Sequence, residues 1–165
     1  MESKAKLLGH PIHQMVIVLP LGLLATSTVF DLMYAAGKNR QWSNSSFHML
    51  SAGVLSGMGA AVPGLMDYLA IRPGTRAKRI GLLHGVGNFI VTGLFAASWL
   101  ARRRKPQRPN ADAIALSVAG TCLALVTGWL GGELVDRLGI GVHDDAHEDA
   151  PSSLRDARSG PELAA

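Results

Sequence analysis

Three histidines and three carboxylates in this chain stand where ionisable groups are costly. His10 and His13 lie in the run GHPIHQ, His84 in LLHGVGN, Asp67 in GLMDYLA, and Glu133 and Asp136 in GGELVDR. A neutral imidazole is an axial ligand for haem iron and a common ligand for other metals. Imidazole combined with carboxylate suits zinc or iron. A haem would draw on His10, His13 and His84, whereas a metal ion would draw on the same histidines with Asp67 or Glu133. A spacing of three puts His10 and His13 on one face if both are helical, and Pro11 suits a first helical turn. Each group also has a plainer use. The first two histidines can anchor a helix start, His84 can hydrogen-bond a neighbouring helix, Asp67 can pair with Arg72, and Glu133 can reach the surface.

The elements that must position these groups are visible as gaps in the charge pattern. Residues 7–30, 41–66, 80–101 and 113–132 contain no Asp, Glu, Lys or Arg, in runs of 24, 26, 22 and 20 residues. A helix crosses a bilayer with about 20 mainly apolar residues. A soluble bundle would keep a polar face on each helix, and these windows have none. The expected helices are 14–36, 48–71, 80–103 and 112–135, joined by loops at 37–47, 72–79 and 104–111. Short loops make neighbouring helices antiparallel. The expected fold is therefore all-α, an integral membrane four-helix up-down bundle over residues 1–142, with a disordered polar tail at 143–165. In that arrangement the three histidines, Asp67, Glu133 and Asp136 fall near one membrane face. Asp31 and His48, on the opposite face, read as helix-end groups.

Two short matches raise a duplicated helical hairpin. LMDYLAI at 65–71 resembles LVDRLGI at 134–140 at an offset of 69, which also joins Gly59 to Gly128. GLLA at 22–25 resembles GLFA at 93–96 at an offset of 71, which also joins His13 to His84. The glycine pairs 53/57, 81/85 and 128/132 mark close helix packing or space for a flat cofactor. Phe89 is the aromatic residue nearest His84 in sequence.

Composition excludes several functions. The 16 Lys and Arg against 12 Asp and Glu sit at window edges and in the tails, where they meet lipid headgroups rather than nucleic acid. Seven basic residues flank each side, so charge asymmetry gives no orientation. There is no P-loop, dinucleotide fingerprint, zinc-protease motif or serine elbow. Cys122 is the single cysteine, which precludes an internal disulfide. The first window contains Pro20, and no small-x-small cleavage site leads from it into a soluble domain, unlike a signal peptide.

GHPIH at 9–13, Asp67 in GLMDYLAI, His84, and GGELVDRLGIGV at 131–142 together resemble a bacterial membrane family known as domain of unknown function 2231. The resemblance covers about Gly9 to Val142. It implies four transmembrane helices in a bacterial inner membrane. Some members carry a Rieske-type iron–sulfur domain, which implies electron transfer. The family pattern has Pro where this chain has Gln14, and Tyr and His where it has Asp136 and Leu138, so ligand roles rest here on His10, His13 and His84. Three readings stand side by side: a haem b protein that serves a redox partner, a zinc or iron site, and a non-catalytic membrane subunit with no cofactor. The bilayer is the partner common to all three, and an oligomer is open to each. The protein is expected to stay with membranes through carbonate and high-salt washing, and reporters fused at Met1 and Ala165 are expected to read the same side. Release as a folded soluble monomer, or reporters on opposite sides, contradicts four spans.

Overall fold

The computed structural model describes residues 1–156. The chain opens with a small hairpin, β1 (Lys6–Leu7) against β2 (His10–Pro11). Its turn residues Leu8 and Gly9 both have positive φ, the form that matches strand twist. Helices α1 (Ile12–Val16) and α2 (Val18–Gly37) make the first span. The break at Ile17 lies beside Pro20, which has no N–H to give the Val16 carbonyl. Helix α3 (Arg40–Ala70) is the second span and α4 (Arg76–Arg102) the third; α5 (Ala111–Gly132) is prolonged by a π-helical turn (Glu133–Arg137) into the fourth. The spans are 26, 31, 27 and 27 residues long and apolar enough to cross a membrane. A short helix, α6 (Ser153–Asp156), ends the described chain.

The expected four-helix bundle is present, with differences at its ends, α4 among them beginning at Arg76 rather than at 80. Helix α3 begins at Arg40 rather than at 48. Lys38 closes α2 in the left-handed conformation, and the Asn39 side chain caps α3 by accepting from the Gln41 N–H. The polar run after Arg40 looked like a loop because its serines are hydrophilic. Ser43 and Ser46 instead face the interior and donate to the Pro106 carbonyl and to Asp31. Residues 143–156 fold back through turns onto the N-terminal segment, with the Met1 ammonium 3.6 Å from Asp144. The rest of the expected disordered tail, 157–165, lies outside the described residues.

Small and hydroxylated residues fill the interior, while large apolar side chains face outward. Leu55, Leu125 and Phe89 are 65, 72 and 81 % exposed, as lipid-facing residues should be. Phe89 therefore points away from the bundle interior. The apolar core is Leu24, Leu50, Val91 and Phe95.

Helices α2 and α3 form one hairpin and α4 and α5 another; α3 packs on α4 and α2 on α5 across them. Equivalent contacts recur in the two hairpins. A Cβ on Gly53 would come within 2.6 Å of the Leu24 side chain, and one on Gly120 within 2.8 Å of Phe95. Leu24 and Phe95 are related by 71 residues, as His13 and His84 are. Gly53 and Gly120 are related by 67. The duplicated hairpin thus has one offset for its first helix and another for its second. The 69-residue offset of the LMDYLAI match is not one that these contacts follow. Asp67 is buried and bonded to the N-terminal segment, whereas Asp136 is exposed.

The same 71-residue shift relates Asp31 to Arg102, and these two form an ion pair across the hairpins. Both side chains are fully buried, with Arg102 Nη1 2.5 Å from Asp31 Oδ1 and Nη2 2.8 Å from Oδ2. Ser46 of α3 donates to Asp31. Arg102 Nη2 also donates to Ser98 of α4 and to the Ala113 carbonyl of α5. All four long helices therefore meet at this pair. Asp31 is not the helix-end group its position at a window edge suggested. Breaking a buried pair strands one charge at a cost of about 3–5 kcal/mol. Asp31→Ala and Arg102→Ala should each lower the melting temperature in detergent sharply. The exchange Asp31→Arg with Arg102→Asp should melt above either single charge reversal, because the two positions are equivalent. An exchange no better than the single reversals contradicts this pairing.

Candidate functional site

Helix register carries the geometry from the ion pair to the opposite end of the bundle. His13 to Asp31 and His84 to Arg102 are both 18 residues, five turns at 3.6 residues each and about 27 Å of rise. A residue five whole turns away returns to the same helix face. If Asp31 and Arg102 meet across the two hairpins, His13 and His84 must face each other as well. Their ring centroids are 6.4 Å apart, with perpendicular planes.

Each imidazole is held in the same way. His13 Nδ1 is 2.8 Å from the Ala60 carbonyl, and His84 Nδ1 is 2.9 Å from the Thr127 carbonyl. A carbonyl only accepts, so each Nδ1 carries the proton and each Nε2 keeps its lone pair. The carbonyl bond fixes the orientation of each ring and turns its Nε2 edge away from the carbonyl. Each ring also rests on a glycine. A Cβ on Gly64 would sit 2.9 Å from His13 Cε1, and one on Gly131 would sit 3.1 Å from His84 Cε1. The acceptors Ala60 and Thr127 and the seats Gly64 and Gly131 are related by 67 residues. Pro63 lies in the same turn of α3 as Ala60 and Gly64, and it removes one helix hydrogen bond there.

The two halves differ around this pair. Asn88 Nδ2 lies 3.2 Å from His84 Nε2 and donates to the His84 carbonyl at 3.0 Å, while Asn88 Oδ1 accepts from Thr127 Oγ1 at 3.0 Å. The equivalent positions in the first hairpin are Ile17 and Ala60, which carry no polar side chain. His84 therefore has a hydrogen-bonded surround that His13 lacks.

The other sequence candidates are engaged elsewhere. His10 is exposed in β2, with Nε2 3.2 Å from Ser153 Oγ. It does not share a helical face with His13, because Pro11 is extended (φ −68°, ψ 120°) and the helix starts only at Ile12. Asp67 does not pair with Arg72. It accepts from Ser3 Oγ at 2.8 Å and from the Lys4 N–H at 2.7 Å, which clamps the N-terminal segment to α3. Glu133 bonds Arg76 at 2.5 Å.

A second cluster lies on the surface, where ligand atoms of Glu2, His143 and Asp145 come within 4.8 Å of one another. His143 joins the tail to Glu2 at 3.2 Å and also hydrogen-bonds Asp145. The hydrogen bond from Lys6, and next the Asp144 N–H, hold the Glu2 carboxyl below its ordinary range; the bond from His143 does the same for Asp145. This tie is in place above the ordinary carboxylate pKa and is lost as pH falls through the lowered values.

The ring seats were the part of the site that the sequence reading missed. The 71-residue match shows His13 and His84, but Gly64 and Gly131 emerge only when the second helices are aligned at 67. No curated protein and no solved structure matches the chain. The family model described as "Predicted membrane protein (DUF2231)" matches residues 9–144. That stretch holds both hairpins, both histidines with their carbonyl and glycine partners, and the Asp31–Arg102 pair, and the chain belongs to this family of predicted membrane proteins.

Proposed function

We propose that His13 and His84 ligate one haem b iron between the two hairpins, near one face of a bacterial inner membrane, and that the protein passes single electrons to a redox partner. The observation that carries this reading is the 6.4 Å centroid separation. Two imidazoles on opposite sides of one metal, with bonds of about 2 Å, have centroids about 6 Å apart. Both Nδ1 atoms are committed to carbonyls, so Nε2 is the nitrogen each ring would offer; on His84 the Asn88 amide, 3.2 Å from Nε2, would have to give way.

The haem reading accounts for the ligand count better than a bare ion does. A structural zinc site wants four protein ligands, yet Asp67 is taken by Ser3 and Lys4 and Glu133 by Arg76. A porphyrin brings four nitrogens of its own and asks the protein for the axial pair alone. Haem would supply reversible one-electron chemistry. The chain's own contribution is to hold two neutral imidazoles in fixed tautomers and to keep the pair inside an apolar bundle.

Protein purified from haem-replete cells should show a Soret band and sharpened visible bands with dithionite. His13→Ala and His84→Ala should each abolish stoichiometric haem while the protein still inserts, and His10→Ala should retain it. Gly131→Val pushes a side chain into the His84 ring and should weaken haem binding by about 10–100-fold, the usual cost of disturbing a ligand's support. A wild-type protein that carries no haem and takes up none when supplied contradicts the proposal. Stoichiometric zinc or iron without porphyrin in that preparation would favour the metal-ion reading.

A further inference from the structure

The end of the bundle far from the histidines carries two hollows that meet along the chain. One, of about 300 Å³, is lined by Arg104, Lys105, Pro106, Gln107 and Arg108. The other, of about 420 Å³, lies between α2 and α5 and has a mostly apolar wall that includes Tyr34, Ala35, Pro109, Ile114 and Ala115, with Lys38 at its edge. Arg108 closes the first and Pro109 begins the second. We propose that together they hold one anionic diacyl phospholipid, its phosphate at the basic hollow and an acyl chain in the groove.

Three observations support this occupant. First, charge is one-sided. Lys38, Arg40, Arg103, Arg104, Lys105 and Arg108 surround this end, and the nearby carboxylates are Asp112 and the buried Asp31, which is already paired with Arg102. Basic residues at a membrane edge attract anionic headgroups. Second, the basic turn is shaped rather than trailing. The Lys105 N–H donates to the Arg102 carbonyl at 2.9 Å, the Arg108 N–H to the Lys105 carbonyl at 3.0 Å, and Ser43 Oγ to the Pro106 carbonyl at 2.5 Å. Third, a hollow lined by three cationic side chains adjoins along the chain a groove with a mostly apolar wall, which is the order a phospholipid's headgroup and acyl chain require at the end of two membrane spans. Lys38 lines the groove as well, with Nζ 5.5 Å from the Tyr34 ring centroid, so the groove carries a charge of its own.

The test is lipid retention by full-length protein, delipidated in detergent and supplied with phosphatidylglycerol or phosphatidylcholine of the same acyl chains, read by native mass spectrometry. The wild type should retain phosphatidylglycerol in preference to phosphatidylcholine. Lys38→Gln removes charge and leaves the groove open; Ala115→Trp fills the groove from an exposed position and leaves the charge. Each should lose most of the retained phosphatidylglycerol at an unchanged melting temperature, while Arg79→Gln at the other end should lose none. Free glycerol phosphate should not displace the lipid. Equal retention of the two lipids, an Ala115→Trp protein that binds as the wild type does, or displacement by glycerol phosphate would each overturn the proposal.

Discussion

The Asp31–Arg102 ion pair constrains everything else in this bundle. Either charge alone in a hydrocarbon-facing helix costs several kcal/mol in lost hydration. Paired and hydrogen-bonded, the two charges offset much of that cost, but only in one arrangement of the two hairpins. The fork geometry of the guanidinium against the carboxylate then fixes rotation as well as distance. Ser46, Ser98 and the Ala113 carbonyl complete the shell. Among the described residues, the buried Arg102 Nε remains without an acceptor. The seats of Leu24 on Gly53 and Phe95 on Gly120 fix the close approach of the helices within each hairpin. A buried ion pair makes the register specific.

That register is transmitted by helix periodicity alone. Five turns separate each charged residue from the histidine of its own hairpin, so fixing one end of α2 and α4 aims the histidines at the other. On the first span the register passes the break at Ile17 because that residue keeps helical dihedrals (φ −62°, ψ −21°) and its N–H bonds the His13 carbonyl at 3.0 Å. The repeat also explains why complementary charges stand at equivalent positions. Two identical hairpins would set like against like across the axis; Asp in one and Arg in the other turns that repulsion into attraction. The same divergence is visible at the histidines, where the polar surround of Asn88 and Thr127 belongs to His84.

Much of this was legible in the sequence, for physical reasons. Charge is so costly in a bilayer that uncharged windows report the spans directly. His13 and His84 stood out at the 71-residue offset because imidazoles are rare in apolar windows. The same offset applied a little further joins Asp31 to Arg102, but Arg102 begins a run of four basic residues and reads as headgroup charge. The second helices were harder. Their matching positions are glycines and alanines, which carry little identity, and the better-looking match at Asp67 and Asp136 drew the alignment two residues out of register. Ser43 and Ser46 concealed the start of α3 because a buried serine satisfied by a carbonyl or a carboxylate is indistinguishable in sequence from a solvated one. His10 looked equivalent to His13 by spacing, but spacing implies a shared face only inside a helix, and Pro11 delays the helix by one residue too many.

Two pseudo-equivalent histidines converge from opposite hairpins with perpendicular rings. The electron paramagnetic resonance spectrum of the oxidised, haem-loaded protein tests that claim most directly, because it reports both the number of imidazole ligands and their mutual orientation. Two axial imidazoles give a low-spin ferric signal, and perpendicular ring planes leave the iron orbitals nearly degenerate, which makes that signal highly anisotropic. The haem-loaded protein should give this highly anisotropic low-spin signal. A high-spin signal from iron with a single histidine, or the narrower low-spin pattern of parallel rings, would contradict it.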